Sequence, residues 1–83
     1  MTLVHRTLGE QRINTICSEH HLRPEDRAII DQILVRWERL IGKPAEKMAV
    51  VMELAGQHPR RSDIIRANTQ ICMEFMELRT ARQ

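Results

Sequence analysis

The chain has almost no aromatic residues: its 83 residues include one phenylalanine, one tryptophan and no tyrosine. Its core must therefore be built from isoleucine, leucine, valine and five methionines, and methionine packs adaptably but specifies shape poorly. A domain of this length buries only roughly 60 % of its unfolded surface, so its stability often depends on a disulfide, a metal or a partner. We expect a single domain, residues 1–83, that associates with another chain.

Cysteines and glycines are also scarce, and long apolar runs are absent. The two cysteines, Cys17 and Cys72, do not make the disulfide framework of a secreted domain, and both fall on apolar faces of predicted helices. We interpret them as reduced core residues. The three glycines do not form a phosphate-binding loop. No segment has the apolar length of a membrane span or the pattern of a signal peptide, so we expect a soluble, cytoplasmic protein without membrane insertion.

Charge of one sign is not in excess either. Eleven arginines and two lysines oppose eleven acidic residues, and the signs are interspersed, which argues against an electrostatic nucleic-acid binder. One small basic cluster, Arg60, Arg61 and Arg66, lies around the start of a predicted helix and is the candidate for phosphate contact. Asp63 falls inside this cluster, so a solvated turn is the interpretation we favour over direct DNA binding.

Apolar spacing predicts an all-α fold. The clearest stripe belongs to a helix that begins at Pro24, has Glu25 and Asp26 in its first turn, and runs to about Ile41. Its apolar residues are Ile29, Ile30, Ile33, Leu34, Trp37, Leu40 and Ile41. The other intervening positions are mostly charged or polar, so one side of this helix must be covered.

Two further helices, and a short N-terminal one, complete the prediction. A helix from Ala45 to Ala55 follows the Gly42–Pro44 break, and the last helix runs from Asp63 to Thr80 with Ser62 as its N-cap. The short N-terminal helix covers roughly Thr7 to Glu19. The predicted apolar face of the Ala45–Ala55 helix comprises Met48, Val51, Met52 and Ala55, widened by Val50 and Leu54. The predicted apolar face of the last helix comprises Ile64, Ile65, Ala67, Ile71, Cys72, Phe75, Met76 and Leu78.

The sequence marks no catalytic or metal centre. Cys17, His20 and His21 are the closest group of metal-ligand types, but zinc needs further ligands that His5, His58 and Cys72 would have to supply from elsewhere. We interpret the histidines as surface or capping residues. Nucleophilic chemistry needs an activated thiol and an oxyanion pocket, which no pattern indicates. We therefore expect neither an enzyme nor a cofactor, and we keep a pH response of the four histidines as a hypothesis.

Four segments together resemble the small enterobacterial regulators of the YmgB/AriR family, which includes the YcgZ and YmgA proteins. The segments are INTICSEHHL (Ile13 to Leu22), EDRAIIDQIL (Glu25 to Leu34), IGKPAEKMAVVMEL (Ile41 to Leu54) and SDIIRANTQICMEF (Ser62 to Phe75). They cover about three quarters of the chain. The resemblance implies a small helical dimer that modulates biofilm formation, acid resistance and two-component signalling, and it transfers no catalytic residue.

The leading hypothesis is a non-enzymatic regulator that forms a homodimer through apolar helix faces and acts on a signalling or transcription protein. The predicted interface residues are Ile30, Ile33, Leu34, Trp37, Ile71, Phe75 and Met76. An ordinary intrachain core is the alternative for most of them. Trp37 is the best single anchor, because tryptophan is enriched among binding hot spots. The other hypotheses are a DNA-binding transcriptional regulator and a small secretion or phage-type chaperone or inhibitor.

Overall fold

The computed structural model describes residues 2–40 and 44–81, and confirms an all-α domain: over these ranges there are five helices and no strand. The helices are α1 (Leu3–Leu8), α2 (Glu10–Glu19), α3 (Pro24–Glu38), α4 (Pro44–Ala55) and α5 (Arg61–Ala81). The longest helix, α5, packs against all four others. No helix in this part of the chain is long and apolar enough to cross a membrane.

The predicted N-terminal helix is two helices with a sharp corner between them. Gly9 forms the corner with φ of +86°, a conformation that residues with a side chain rarely adopt. At the start of α1, the His5 N–H donates to the Thr2 hydroxyl, and the Thr2 N–H donates to His5 Nδ1. The ring's Nε2 lies 2.8 Å from Oδ1 of Asp31 on α3. This nonlocal contact fixes α1 against α3 and buries His5, which the sequence prediction had placed outside the helix.

Helix α3 starts where its proline and acidic first turn predict. Pro24 occupies the first turn, and the Arg23 N–H donates to Asp26 Oδ2 at 3.0 Å, which caps the helix. The helix ends at Glu38, three residues before the predicted end, and the amides of Arg39 and Leu40 close short turns onto Arg36 and Trp37. Arg39 and Leu40 are therefore not part of the helix, and the predicted end at Ile41 and the Gly42 break lie outside the described residues.

The predicted apolar face of α4 is wrong in part. Val50, Val51 and Ala55 are buried, whereas Met48 and Met52 are 54 % and 42 % exposed. The helix is therefore rotated about its axis relative to the prediction, with its valines and Ala55 turned toward the core. A run of apolar residues on nearly all sides of a short helix does not define which side faces inward.

The predicted N-cap of α5 is also wrong. The helix begins at Arg61, and the Arg60 carbonyl already accepts the Ile64 N–H at 3.0 Å. Ser62 therefore lies inside the first turn rather than before it.

The core joins residues from every helix. Its fully buried large side chains come from α2, α3 and α5 and are Ile13, Ile16, Ile30, Ile33, Leu34, Ile64 and Ile71. The same cluster also contains Val4, Cys17, Leu22, Val51, Ala55, Ala67 and Phe75. Cys17 and Cys72 are buried and unpaired, which confirms their interpretation as reduced core residues.

Candidate interaction site

Most of the predicted interface residues belong to the intrachain core. Ile30, Ile33, Leu34 and Ile71 have no exposed surface, and Phe75 is 9 % exposed. The first four cannot contact a second chain in this fold, so the structure corrects their assignment and places them in the core, the alternative interpretation. The physical reason is that α3 packs on α4 and α5, and α5 also packs on α1, α2 and α4, which covers these positions of both stripes within one chain.

The remaining predicted interface residues, Trp37 and Met76, lie together at the protein surface. With Lys47, Phe75, Arg79 and Thr80 they line a cavity of about 290 Å³, which we call the Trp37 pocket. Trp37 comes from the last turn of α3, Lys47 from the first turn of α4, and the other residues from the second half of α5. Met76 is 62 % exposed, which is consistent with its predicted availability to a partner.

Two cations flank the aromatic rings of the Trp37 pocket. The Lys47 Nζ lies 4.3 Å from the centroid of the Trp37 ring, and the Arg79 guanidinium carbon lies 5.6 Å from the centroid of the Phe75 ring. Both distances are within the range of cation–π attraction. Among the described residues, neither cation has a carboxylate within ion-pair distance. The pocket thus combines an apolar floor with positive charge at its edge.

A larger surface depression runs along the other side of α5. It has a volume of about 960 Å³, and we call it the α5 groove. Its apolar lining includes Leu8 from α1 together with Ile65, Met73 and Leu78 from α5. Met73 is 58 % exposed, and most of the lining surface is apolar. The groove shares no lining residue with the Trp37 pocket.

One wall of the α5 groove is held by polar contacts between α2 and α5. The Arg12 guanidinium donates two hydrogen bonds to Glu74, at 2.8 and 2.7 Å, and Gln70 donates a third at 2.9 Å. The hydrogen bonds from Arg12 and then Gln70 hold the pKa of Glu74 below its ordinary value. His20 Nε2 lies 2.7 Å from the Gln70 amide oxygen. These contacts fix the groove's shape in the unbound chain.

A buried carboxylate joins two interhelix connections at one end of α3. Asp26 is 1 % exposed, and its oxygens lie 3.1 Å from His58 Nε2 and 3.8 Å from the Arg60 Nε, in addition to the Arg23 amide. Burial raises the pKa of Asp26, but the Arg23 backbone hydrogen bond and the Arg23 and His58 charges outweigh it, so the pKa is lowered. We call these four residues the Asp26 cluster. It ties the α2–α3 connection to the α4–α5 connection.

The predicted phosphate contacts are largely used within the chain. Arg60 lies near Asp26 and 3.9 Å from Asp63, and it donates to the His21 carbonyl at 2.7 Å. Arg66 lies 3.3 Å from Asp63, and Arg61 is exposed. Two of the three candidate arginines are therefore neutralised by neighbouring carboxylates, which leaves little net charge for a phosphate backbone.

The residues considered for metal binding or nucleophilic chemistry do not converge. His5 pairs with Asp31, His58 with Asp26, and His20 with Gln70, at three separate places. Within residues 2–40 and 44–81, no group of three histidine, cysteine or acidic side chains is placed to hold a metal ion. Burial raises the pKa of the Cys17 thiol and raises that of Cys72 to about 12, so neither is set up as a thiolate.

Sequence reasoning missed Lys47, Arg79, Met73 and Glu77, which define the two surface sites. Met73 carried a usable signal, because it is a large apolar residue that falls outside the core stripe of the last helix. The positions of Lys47 and Arg79 over aromatic rings depend on the packing of α4 on α3 and α5, so no local pattern indicates them.

Comparison of the chain with protein-family models, with curated proteins and with solved structures finds no match. The resemblance to the YmgB/AriR regulators therefore stays a prediction.

Proposed function

We propose that this protein is a small non-enzymatic regulator that forms a homodimer through the α5 groove and modulates a signalling or transcription protein by helix-mediated contacts. The observation that supports the proposal is the exposed, mostly apolar α5 groove of about 960 Å³ in a domain of 83 residues. The exposed Met73 and Leu78 side chains in this groove offer apolar surface that a second chain can cover.

The α5 groove has the pattern that a twofold interface requires. In an isologous dimer each surface patch meets itself, so its residues must be complementary when the helix direction is reversed. If two α5 helices pair antiparallel about the midpoint between Ile71 and Cys72, Ile65 lies opposite Leu78 of the second copy. Arg66 then lies opposite Glu77, which would add a second carboxylate to its contact with Asp63 in its own turn. All four paired residues line the groove. These two reversed pairs match opposite charges and join two apolar side chains, while the groove residues between them pair a polar side chain with Met73 and with Glu74.

The regulatory part of the proposal draws its support from the resemblance to YmgB/AriR proteins. On that basis the partner class is a two-component signalling protein, and the processes affected are biofilm formation and acid resistance. The small size of the domain and its separate surface sites fit a connector, because the α5 groove and the Trp37 pocket occupy different sides of α5.

The dimer is tested by a charge swap at the paired positions. Sedimentation equilibrium of the wild type should give a dimer mass, whereas Arg66→Glu and Glu77→Arg should each place like charges opposite one another and weaken association by about tenfold. The double variant R66E/E77R restores opposite charges and should recover association. Monomeric wild type over the full concentration range, or no recovery in the double variant, would overturn this arrangement.

Two methionines of similar exposure provide a matched control. Met73→Glu introduces a charge at the centre of the α5 groove and should yield a folded monomer, while Met48→Glu on α4 should leave the dimer unchanged. Equal effects of the two substitutions would show that the groove is not the interface. Circular dichroism of each variant checks that the helices are retained.

Capture of partners from the native cell tests the regulatory class. The wild type should retain a sensor kinase or response regulator, identified by mass spectrometry and then confirmed by direct binding of the purified components. Recovery of nucleic acid alone would contradict the proposal and favour the DNA-binding hypothesis.

A further inference from the structure

The Trp37 pocket is accessible in the homodimer proposed above. Its α5 residues, Phe75, Met76, Arg79 and Thr80, lie on a different side of the helix from those of the α5 groove. Antiparallel pairing of two α5 helices through their grooves would therefore leave the pocket open on each copy. An occupant of the pocket would therefore be something other than the dimer partner's α5 helix.

The chemistry of the pocket edge favours an acidic occupant. Lys47 and Arg79 lie over aromatic rings, and no carboxylate among residues 2–40 and 44–81 forms an ion pair with either. By contrast, Arg36, close in sequence to Trp37, lies 2.8 Å from the Glu53 carboxylate. A cation above a ring keeps its outer side available for a carboxylate, because the ring occupies only one face of the charge. An approaching acidic segment would gain two such contacts.

The size of the pocket favours a side chain rather than a small metabolite. Its volume of about 290 Å³ lies at the lower limit of ligand pockets, which begin at roughly 300 Å³. The floor is formed by Trp37, Phe75 and Met76, and the Thr80 hydroxyl is already engaged with the Met76 carbonyl at 3.0 Å. An aliphatic side chain fits such a floor, since few polar groups remain to orient a polar ligand.

We infer that the Trp37 pocket binds a short acidic segment of a partner protein, with one bulky aliphatic side chain on the floor and flanking carboxylates paired with Lys47 and Arg79. This inference rests on the proposed function, because it names the chemistry that the regulated partner presents. Methionine at an exposed floor position supports it further, as methionine adapts to partners of different shape.

The single tryptophan of the chain reports binding directly. The probe is a seven-residue peptide, acetylated and amidated at its ends, with a central leucine flanked by three glutamates on each side. Titration into the wild type at low ionic strength should change the Trp37 emission saturably, and added salt should weaken binding. A reference peptide with lysines in place of the glutamates should bind at least about tenfold more weakly.

Variants at the pocket edge and floor test the assignment. The double substitution K47Q/R79Q should weaken binding of the acidic peptide by about tenfold, and Met76→Glu should abolish it. Arg61→Gln, which removes an exposed positive charge outside both the pocket and the groove, is the control and should leave the peptide affinity unchanged. Equal affinity for the acidic and basic peptides, no saturable change up to about 1 mM, or an unaltered affinity of K47Q/R79Q would overturn the inference.

The experiment separates failure of this inference from failure of the dimer. Met73→Glu should be monomeric yet still bind the acidic peptide, because Met73 does not line the pocket. If the wild type is a dimer but does not bind the acidic peptide, the pocket assignment alone is overturned. A change in dimer mass on K47Q/R79Q substitution, without peptide, would show that a second copy occupies the pocket and would also overturn it.

Discussion

The two ends of the paired helices α3 and α5 use cations in opposite ways. At one end the Asp26 cluster brings His58, Arg60 and the Arg23 amide to a single buried carboxylate. At the other end Lys47 and Arg79 lie against aromatic rings, and no described carboxylate pairs with them. At the Asp26 end the charges pair with one another and stabilise the fold. At the Trp37 end the charges of Lys47 and Arg79 have no such partner among the described residues.

This difference distinguishes basic residues that stabilise the fold from basic residues that are available to bind a partner. Arg60 and Arg66 looked like phosphate contacts in sequence, but they pair with carboxylates in their own turn or in the neighbouring connection. Lys47 and Arg79 are far apart in sequence and belong to no basic cluster there, yet they flank one pocket. The accessibility of a positive charge therefore depends on whether the fold supplies its counter-charge.

The largest expected effect concerns Cys72, which lies near Lys47 but below the surface. Its pKa is raised to about 12 from an ordinary 9.0, so its thiolate fraction near pH 8 should be about a thousandfold lower. In a Cys17→Ala variant, labelling of Cys72 by a thiol reagent should be slower than that of glutathione by at least this factor. Rapid labelling without denaturant would show that the chain opens around Cys72, and would contradict its burial in the native fold.

The next largest effect is expected for Asp26, at the opposite end of α3 from Trp37. Asp26→Asn keeps the shape of the side chain but leaves His58 and Arg60 without their buried counter-charge, and should lower the free energy of unfolding by about 3 kcal/mol. Urea denaturation measures it. The adjacent, exposed Glu25 pairs with Arg23 at 3.3 Å, and Glu25→Gln should cost less than about 0.5 kcal/mol. If both substitutions lower the free energy of unfolding by similar amounts, the burial of Asp26 does not make its ion pairs stronger than the exposed pair of Glu25.

Acidification should weaken the same end selectively. The pKa of Asp26 is lowered in the fold from an ordinary 3.8, so its contribution is present above that pH and is lost as pH falls through the folded pKa. We expect the stability difference between wild type and Asp26→Asn to be constant near neutral pH and to shrink below about pH 4. A difference that grows with acidification would reverse the sign and contradict the lowered pKa.

The smallest effect is expected for Lys47. Replacing it with alanine removes a cation 4.3 Å from the Trp37 ring centroid at an open site, where the contact is worth about 0.5–1 kcal/mol. The free energy of unfolding should fall by no more than that, while the Trp37 emission shifts because its nearest charge is gone. A loss comparable to that of Asp26→Asn would remove the contrast between the two ends.

The helices were largely predictable because their signals are local. Pro24 and the acids after it mark the start of α3, and apolar spacing gives the existence of α4 and α5. No local signal predicts the corner at Gly9, since it depends on contacts that α1 makes elsewhere, such as His5 with Asp31. The wrong N-cap at Ser62 shows the limit of a local rule, because the preceding turn continues the helix to Arg61.

The candidate sites were much less predictable. Periodicity shows that Ile33 and Ile71 need cover but not which chain supplies it, and the structure shows that they cover each other's helices. The same limit applies to Asp26, whose place in the first turn was expected but whose burial beside His58 joins residues more than thirty positions apart. Predicting the surface sites requires the relative orientation of three helices, and the apolar stripe of a single helix does not determine that orientation.

The path of the N-terminal segment depends on the backbone conformation of Gly9 rather than on the space around it. A Cβ at this position would meet no atom within 4 Å, so space is not limiting, and only the positive φ disfavours a side chain. An L-residue would favour a continuous helix from Leu3 to Glu19, about 25 Å long, that carries His5 away from Asp31. The backbone at Gly9, with φ of +86° and ψ of 149°, lies in a region that is essentially restricted to glycine, so this one residue decides whether the N-terminal segment forms two helices or one.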